Sequence, residues 1–157
     1  MENKENTKKD MQDFCNLKGS FIAVLKKANG DIQVTRKDNL ILNVGFDFIA
    51  DAIGNSSSRP NTMSHTALGT GTVATEATQV GLANELIRKE AIYSHTANTK
   101  VFAFATEFPA GVATGAITEA GICNAASGGT FIDRVTFAVI NKAADDTLTT
   151  NFQFTLS

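Results

Sequence analysis

Thr147–Leu156 reads TLTTNFQFTL, and this stretch decides the fold class. The side chains of Leu148, Phe152, Phe154 and Leu156 fall on one face of an extended chain, while small polar side chains fall on the other. Such strict alternation is typical of a β-strand with one buried face. The chain therefore contains a half-buried sheet, and the hydrogen-bonding partners of this strand must come from earlier segments.

Residues 20–36, SFIAVLKKANGDIQVTR, predict a hairpin, because two apolar-rich runs flank the turn pair Asn29-Gly30. Further short runs rich in β-formers, separated by Gly and small polar residues, lie at 64–68, 87–95, 100–108, 116–124 and 130–140. Phe, with 11 copies and no Trp, is the expected core filler. The pattern predicts a mainly all-β fold, an antiparallel, jelly-roll-like β-sandwich of about seven or eight strands.

One segment departs from the strand pattern. Apolar side chains recur at helical spacing in VGFDFIADAIGN, and Gly54 with Asn55 supplies a stop signal. We predict a single helix near 44–53, whose apolar face is formed by Val44, Phe46, Ile49, Ala50 and Ile53.

The N-terminal residues are charged and aperiodic, which predicts a flexible or partner-ordered arm over residues 1–17, before one domain over 18–157. The first residues lack the apolar core of a signal peptide, and no run of about 18 apolar residues occurs. We expect synthesis in a cytoplasm and no membrane contact. The net charge of -2 gives no positive field to gather phosphate, so we expect no nucleic-acid binding.

The cysteines and histidines do not form a recognisable metal or catalytic pattern. Cys15 and Cys123 are too few and too far apart for a zinc site; Cys123, in an apolar run, is expected to be buried, and a disulfide between the two stays open. His65 and His95 lack HxH or HExxH spacing toward an acidic partner such as Asp51, Glu85 or Glu119. We therefore expect no metal, no cofactor and no enzymatic activity.

The stretch Leu68-Gly69-Thr70-Gly71-Thr72 superficially resembles a nucleotide-binding loop, but neither a GxGxxG frame nor a GK[ST] ending follows. We interpret Gly69 and Gly71 as residues that let the chain turn tightly after a strand.

Four charged residues are candidates for structural ion pairs. Glu119 lies among apolar and small residues, where an unpaired carboxylate would be costly to bury, and Arg134 lies in an equally apolar strand. A pair between them, within the chain or across a subunit boundary, is the natural hypothesis. Glu85 and Arg88 are spaced for a second pair, although Glu85 could meet Arg134 instead.

These residues together resemble a group of small tailed-phage structural proteins over roughly residues 19–157. The similarity is carried by NLILNVGFDFIADAIG, by ALGTGT followed by LANELIR, by FPAGVATGAITEAGICNAASGGTFIDRVTF, and by the closing DTLTTNFQFTLS. Cys123 and Phe131 depart from the pattern. The matching positions are Leu68, Gly69, Gly71, Leu82, Glu85, Arg88, Ile117, Glu119, Gly121, Gly129, Arg134 and Phe137.

The resemblance implies a virion component, made in the cytoplasm of a bacterial host, that has no active site. It would bind copies of itself and other particle proteins, such as the major capsid or neck and tail proteins. Small size without a heptad shaft favours a capsid-associated decoration, or cement, subunit. A neck, tail, baseplate or fibre adaptor is the alternative. A host-receptor or glycan-binding module is the alternative of another class, although Trp is absent and Tyr93 is the only tyrosine.

Overall fold

A computed structural model describes residues 15–157 of the chain. Nine strands and one helix follow in the order β1 Leu17–Lys26, β2 Ile32–Ile41, α1 Asn43–Gly54, β3 His65–Gly69, β4 Glu85–Glu90, β5 Ile92–His95, β6 Val101–Phe108, β7 Gly115–Cys123, β8 Asp133–Lys142 and β9 Thr147–Leu156. A long connection, residues 70–84, joins β3 to β4.

All nine strands belong to one antiparallel sheet in the order β4-β3-β7-β8-β2-β1-β9-β6-β5. The sheet is nearly closed, because β4 and β5 form its two edges and yet follow each other in sequence with only Ala91 between them. The ammonium of Lys89 on β4 also donates to the carbonyl oxygen of Glu107 on β6, at 2.6 Å. The narrowest link is between β2 and β8, where only Leu40 and Ile41 are paired.

The all-β class with a single helix is confirmed, but the number of strands is nine and they form one sheet instead of two. The additional strand comes from the run predicted at 87–95, which the structure divides at Ala91 into β4 and β5. Ala91 instead donates its N–H to the carbonyl oxygen of Ser64, at 2.8 Å. The division lets one run of sequence pair with β3 on one side and with β6 on the other.

The core is dominated by phenylalanine, as the composition predicts. The ring of Phe21 on β1 lies 4.9 Å from that of Phe137 and 4.8 Å from that of Phe152, centroid to centroid. Phe152 and Phe154 are fully buried, which confirms the half-buried strand at Thr147–Leu156. Leu156, at the end of that strand, is 37% exposed.

The helix is confirmed, and its predicted apolar face is right for Val44 and Ile49, which pack against buried clusters, but wrong for Phe46, Ala50 and Ile53, which are exposed. Gly45 is its buried residue, with Phe48 and Ile49 packed against the core, whereas Phe46 and Ile53 are 47% and 81% exposed. The reason is steric: a Cβ at position 45 would clash with the backbone of Ile132, so only glycine allows this close approach. Contact at Gly45 leaves Phe46 and Ile53 on the outward side of the helix.

The N-terminal hairpin is confirmed and its turn is asymmetric. Lys27 donates its N–H to the Asp31 carbonyl oxygen, and Gly30 donates to the Lys27 carbonyl oxygen, both at 2.9 Å. Gly30 has a φ of 93°, a left-handed conformation that favours glycine. The turn thus fixes the register of β1 against β2 without a shift.

The predicted N-terminal arm lies mostly outside the described residues, which begin at Cys15. Leu17, which the sequence analysis assigned to the arm, is buried and begins β1. Asn16 exchanges backbone hydrogen bonds of 2.7 and 2.9 Å with Ser157, so the start of the sheet is joined to the end of the chain. Within residues 15–157, no helix has the length and apolar character that crossing a membrane requires.

Candidate functional site

The predicted pair of Glu119 and Arg134 is confirmed and is formed within one chain. Glu119 on β7 and Arg134 on β8 are both fully buried, at 0% exposure. Their sequence neighbours Ala120 and Val135 belong to the main core, so the two charged side chains point to the opposite face of the sheet. Residues 70–84 cover them there, as the following contacts show.

The carboxylate of Glu119 accepts five hydrogen bonds. Its Oε1 accepts from the backbone N–H of Gly71 at 2.9 Å and from that of Asn84 at 2.7 Å. Its Oε2 accepts from the backbone N–H of Ala83 at 2.9 Å, and from Nε and Nη2 of Arg134 at 2.9 and 2.8 Å. The glycine-rich stretch does bind an anion, but the anion is the protein's own carboxylate.

The guanidinium of Arg134 has a partner for each of its five N–H groups. Besides the two bonds to Glu119, Nη2 donates to the Val73 carbonyl oxygen at 2.9 Å, and Nη1 donates to Gln79 Oε1 at 2.8 Å and to the Ala74 carbonyl oxygen at 3.3 Å. Gln79 in turn donates from Nε2 to Ala74. The pair therefore holds both ends and the middle of the connection.

Opposing effects set the pKa of Glu119. Burial raises it, and the hydrogen bonds from Asn84, Ala83, Arg134 and Gly71 lower it by more, so the pKa lies below its ordinary value. Glu119 is accordingly ionised at neutral pH, and its charge is matched by Arg134.

Gly69 and Gly71 are needed for close approach around the carboxylate. A Cβ at Gly69 would lie 2.5 Å from the Asn84 carbonyl oxygen, and a Cβ at Gly71 would meet Glu119 Oε1 and lie 2.6 Å from the Ala83 Cβ. This agrees with their interpretation as residues of tight chain geometry.

We expect Gly71→Ala to lower the free energy of unfolding by about 1–3 kcal/mol, since the added methyl group separates the loop from Glu119. The matched control is Gly54→Ala at the end of α1, where an added Cβ meets nothing within 4 Å and φ is not positive. In that control the free energy of unfolding should rise by about 0.4–1 kcal/mol, because alanine lowers the conformational entropy of the unfolded chain. Urea denaturation measures both; equal effects would refute the steric argument.

The second predicted pair, Glu85 with Arg88, is also confirmed. Arg88 Nε and Nη2 donate to the two Glu85 carboxylate oxygens at 2.6 and 3.0 Å. Residues three apart on a regular strand face opposite sides, but a bulge at Leu86 leaves Gly69 opposite Glu85 and Leu68 opposite Ile87. The extra residue brings the two charged side chains to one face.

Arg88 connects this pair to the β7–β8 turn. Its Nη1 donates to the carbonyl oxygens of Ala125 and Gly128 at 2.8 and 2.7 Å, and its guanidinium lies 5.0 Å from the centroid of the Phe131 ring. Gly128 and Gly129 have φ values of 64° and 71°. The charged and glycine positions of the sequence motifs thus stabilise one corner of the sheet.

The other candidate residues are not brought together. His65 Nδ1 contacts the Ser64 hydroxyl at 2.8 Å, and His95 Nδ1 contacts the Val101 carbonyl oxygen at 2.7 Å. Cys123 is buried, as predicted, and burial raises the pKa of its thiol; neither it nor exposed Cys15 forms a disulfide. Across residues 15–157, no group of three or more His, Cys, Asp or Glu side chains is placed to hold a metal ion.

Asp133 is a buried ionisable residue that is not among the candidates predicted from the sequence. Its Oδ1 accepts from the Ile122 N–H at 2.8 Å and its Oδ2 accepts from Asn39 Nδ2 at 2.5 Å. Burial raises the pKa of Asp133 to about 7, and these hydrogen bonds counteract it only in part. The Asn39 Oδ1 atom is buried without a partner among the described residues. The signal was FIDRVTF, which places an acidic residue as well as an arginine in an apolar run.

Asp133 should make stability fall as pH rises. Because its folded-state pKa is raised, its contribution is fully present below about pH 4, declines up to pH 7 and is absent above it, a change of up to about 4 kcal/mol. Glu119 acts in the opposite sense: its stabilisation is present above its unfolded-state pKa and is lost as pH falls through the lowered folded-state pKa. We expect maximum stability in mildly acidic solution.

Urea denaturation from pH 4 to pH 8 tests this expectation, with Asp133→Asn as the comparison. The asparagine amide does not titrate and can donate to the Asn39 oxygen once the Asn39 amide turns over. The variant should lose the decline between pH 5 and pH 7 that we expect for the native chain. The same decline in both proteins would assign the pH dependence to another group.

Comparison of the chain with protein-family models, curated proteins and solved structures finds no match in any of the three.

Proposed function

We propose that this chain is a non-enzymatic structural subunit of a tailed-phage particle, specifically a capsid-associated decoration or cement protein. The observation that carries the proposal is the saturation of the Glu119–Arg134 pair by contacts within the chain. Catalytic acids, bases and electrostatic stabilisers need free valences that reach a substrate. Here Glu119 and Arg134, two of the charged residues that carry the resemblance, are fully used in holding the polypeptide.

What this network holds in place is a protein surface. The carbonyl oxygen of Val73 accepts from Arg134, while the Val73 side chain is 60% exposed and that of Val80, in the same connection, is 70% exposed. A loop that is already ordered loses little conformational entropy on binding. Rigid exposure of apolar side chains therefore suits contact with another virion protein, and repetition over symmetric copies strengthens a modest contact.

Counting copies per particle by quantitative mass spectrometry tests the proposal. Shell decoration predicts a count on the order of hundreds, comparable with the major capsid protein. A count of roughly three to eighteen would instead support the alternative of a neck, tail or baseplate adaptor, following the symmetry of those assemblies. Absence from purified particles would refute a structural role in the virion.

A host-receptor or glycan-binding module is the second candidate, favoured by one observation. Tyr93 on the edge strand β5 is 58% exposed, and its ring packs 5.5 Å from that of Phe104 and 6.4 Å from that of Phe102. A supported, exposed aromatic face is the usual platform for a sugar ring. A glycan array with Tyr93→Ala as the comparison tests it: binding that the substitution abolishes supports this candidate.

A further inference from the structure

Strand β2 has an open edge over residues 32–37. One side of β2 pairs with β1 over residues 32–39, but the other side joins β8 only through Leu40 and Ile41. Within residues 15–157, no strand pairs with residues 32–39 on the side that faces away from β1. Ile32 and Val34 are 65% and 44% exposed, and this segment contains neither a proline nor a register shift to block pairing.

The hairpin turn determines which backbone groups face this edge. Because the N–H of Lys27 donates to the carbonyl oxygen of Asp31, that pair bonds across the hairpin, and bonding pairs recur at every second residue. On β2 the odd-numbered residues therefore bond to β1. Ile32, Val34 and Arg36 direct their N–H and C=O groups to the open edge.

We propose that a second copy of this chain pairs with the open edge in antiparallel orientation, about a two-fold axis through Val34. In this register Val34 faces its own copy, and Ile32 faces Arg36. Each of the three residues with outward backbone groups then bonds to a partner of the same kind, which gives six backbone hydrogen bonds.

The charges on β2 select this register. With the axis at Val34, the carboxylate of Asp31 lies opposite the ammonium of Lys37, and two-fold symmetry forms this contact twice. An axis at Arg36 would set two arginines opposite each other. An axis at Thr35 would place Lys37 opposite Gln33 and Asp31 opposite Asn39, so no opposite charges would meet.

The inference goes beyond the proposed function, since such a dimer forms in solution without any particle. A pairing of two edge strands buries a small area, so we expect a reversible dimer whose dissociation constant lies in the micromolar range and rises with salt. Absence of the protein from particles would refute the proposed function but not the dimer. Absence of the dimer in solution would refute this inference but not the proposed function.

Sedimentation equilibrium of the full chain, from about 1 µM to 1 mM, is the first measurement. We expect a monomer–dimer equilibrium, which Val34→Pro abolishes. That substitution removes an N–H that points to the open edge and not to β1, and edge strands tolerate proline. Ile53→Ser, which changes an 81% exposed apolar residue on α1, is the control and should leave dimerisation unchanged. A monomer at every concentration, or a dimer that survives Val34→Pro, would overturn the proposal.

Charge reversal tests the register itself. Asp31→Lys alone places two lysines opposite each other, and Lys37→Glu alone places two carboxylates opposite each other, so each should weaken dimerisation by at least about tenfold. Mixed in equal amounts, the two variants should associate as a heterodimer, since both cross-strand contacts then join opposite charges. Circular dichroism confirms that each is folded. Failure of the mixture to associate would overturn the Val34 register.

Discussion

Glu119→Gln should lower the free energy of unfolding by about 3–5 kcal/mol, the usual cost of removing one member of a buried ion pair. The amide of glutamine has the shape of the carboxylate but has only one acceptor oxygen, whereas the native side chain accepts five hydrogen bonds. Its NH₂ group would face other donors, and Arg134 would stay buried without a counter-charge. Urea denaturation at neutral pH measures the loss.

Glu85→Gln is the matched control, because it makes the same chemical change in a pair whose Glu85 side chain is 32% exposed. We expect a loss of at most about 1 kcal/mol there. Hydrogen exchange separates the role of Glu119 further: the amides of Gly71, Ala83 and Asn84 should lose protection in Glu119→Gln and keep it in Glu85→Gln. Comparable losses of stability in the two variants would contradict the structural role that we assign to Glu119.

Phe152→Ala should have a similar effect for a different reason. The Phe152 side chain is fully buried and packs against Phe21, so its removal leaves a cavity in the main core. Such truncations cost about 3–5 kcal/mol. For a domain of this size the melting temperature should fall by roughly 6–20 °C, which differential scanning calorimetry measures.

Phe46→Ala is the comparison for the core truncation. Phe46 is 47% exposed on α1, and alanine is the better helix former, so the expected change is about 1 kcal/mol or less. A large loss at Phe46 would mean that this helix face is covered in solution, and a small loss at Phe152 would mean that the core relaxes to fill the space.

The features that sequence could predict are those that repeat locally. Alternation in Thr147–Leu156 identified a half-buried strand because successive side chains of a strand point to opposite faces of the sheet. The existence of α1 was visible in its spacing and its stop signal. Its orientation was not, because contact between Gly45 and the backbone of Ile132 decides which face is buried.

The candidate site likewise has one part that the sequence predicts and one part that it does not. The cost of burying Glu119 and Arg134 indicated a pair, and the structure contains it. The path of residues 70–84 was hidden, because a carboxylate more than thirty positions away organises that connection and no local pattern records it. The bulge at Leu86 was also hidden, since one extra residue on a strand leaves no mark in composition or periodicity.

The backbone pairing of Asn16 with Ser157 has a mechanical consequence. Since β1 and β9 run antiparallel and these residues lie at the same end of the pair, a force that separates the two ends loads their hydrogen bonds one after another, like a zipper. A force between Ser157 and the distant β1–β2 turn would instead load β1 and β9 in shear, where many bonds resist together. The domain should therefore yield easily when stretched by its own termini and hold firmly when anchored across its length.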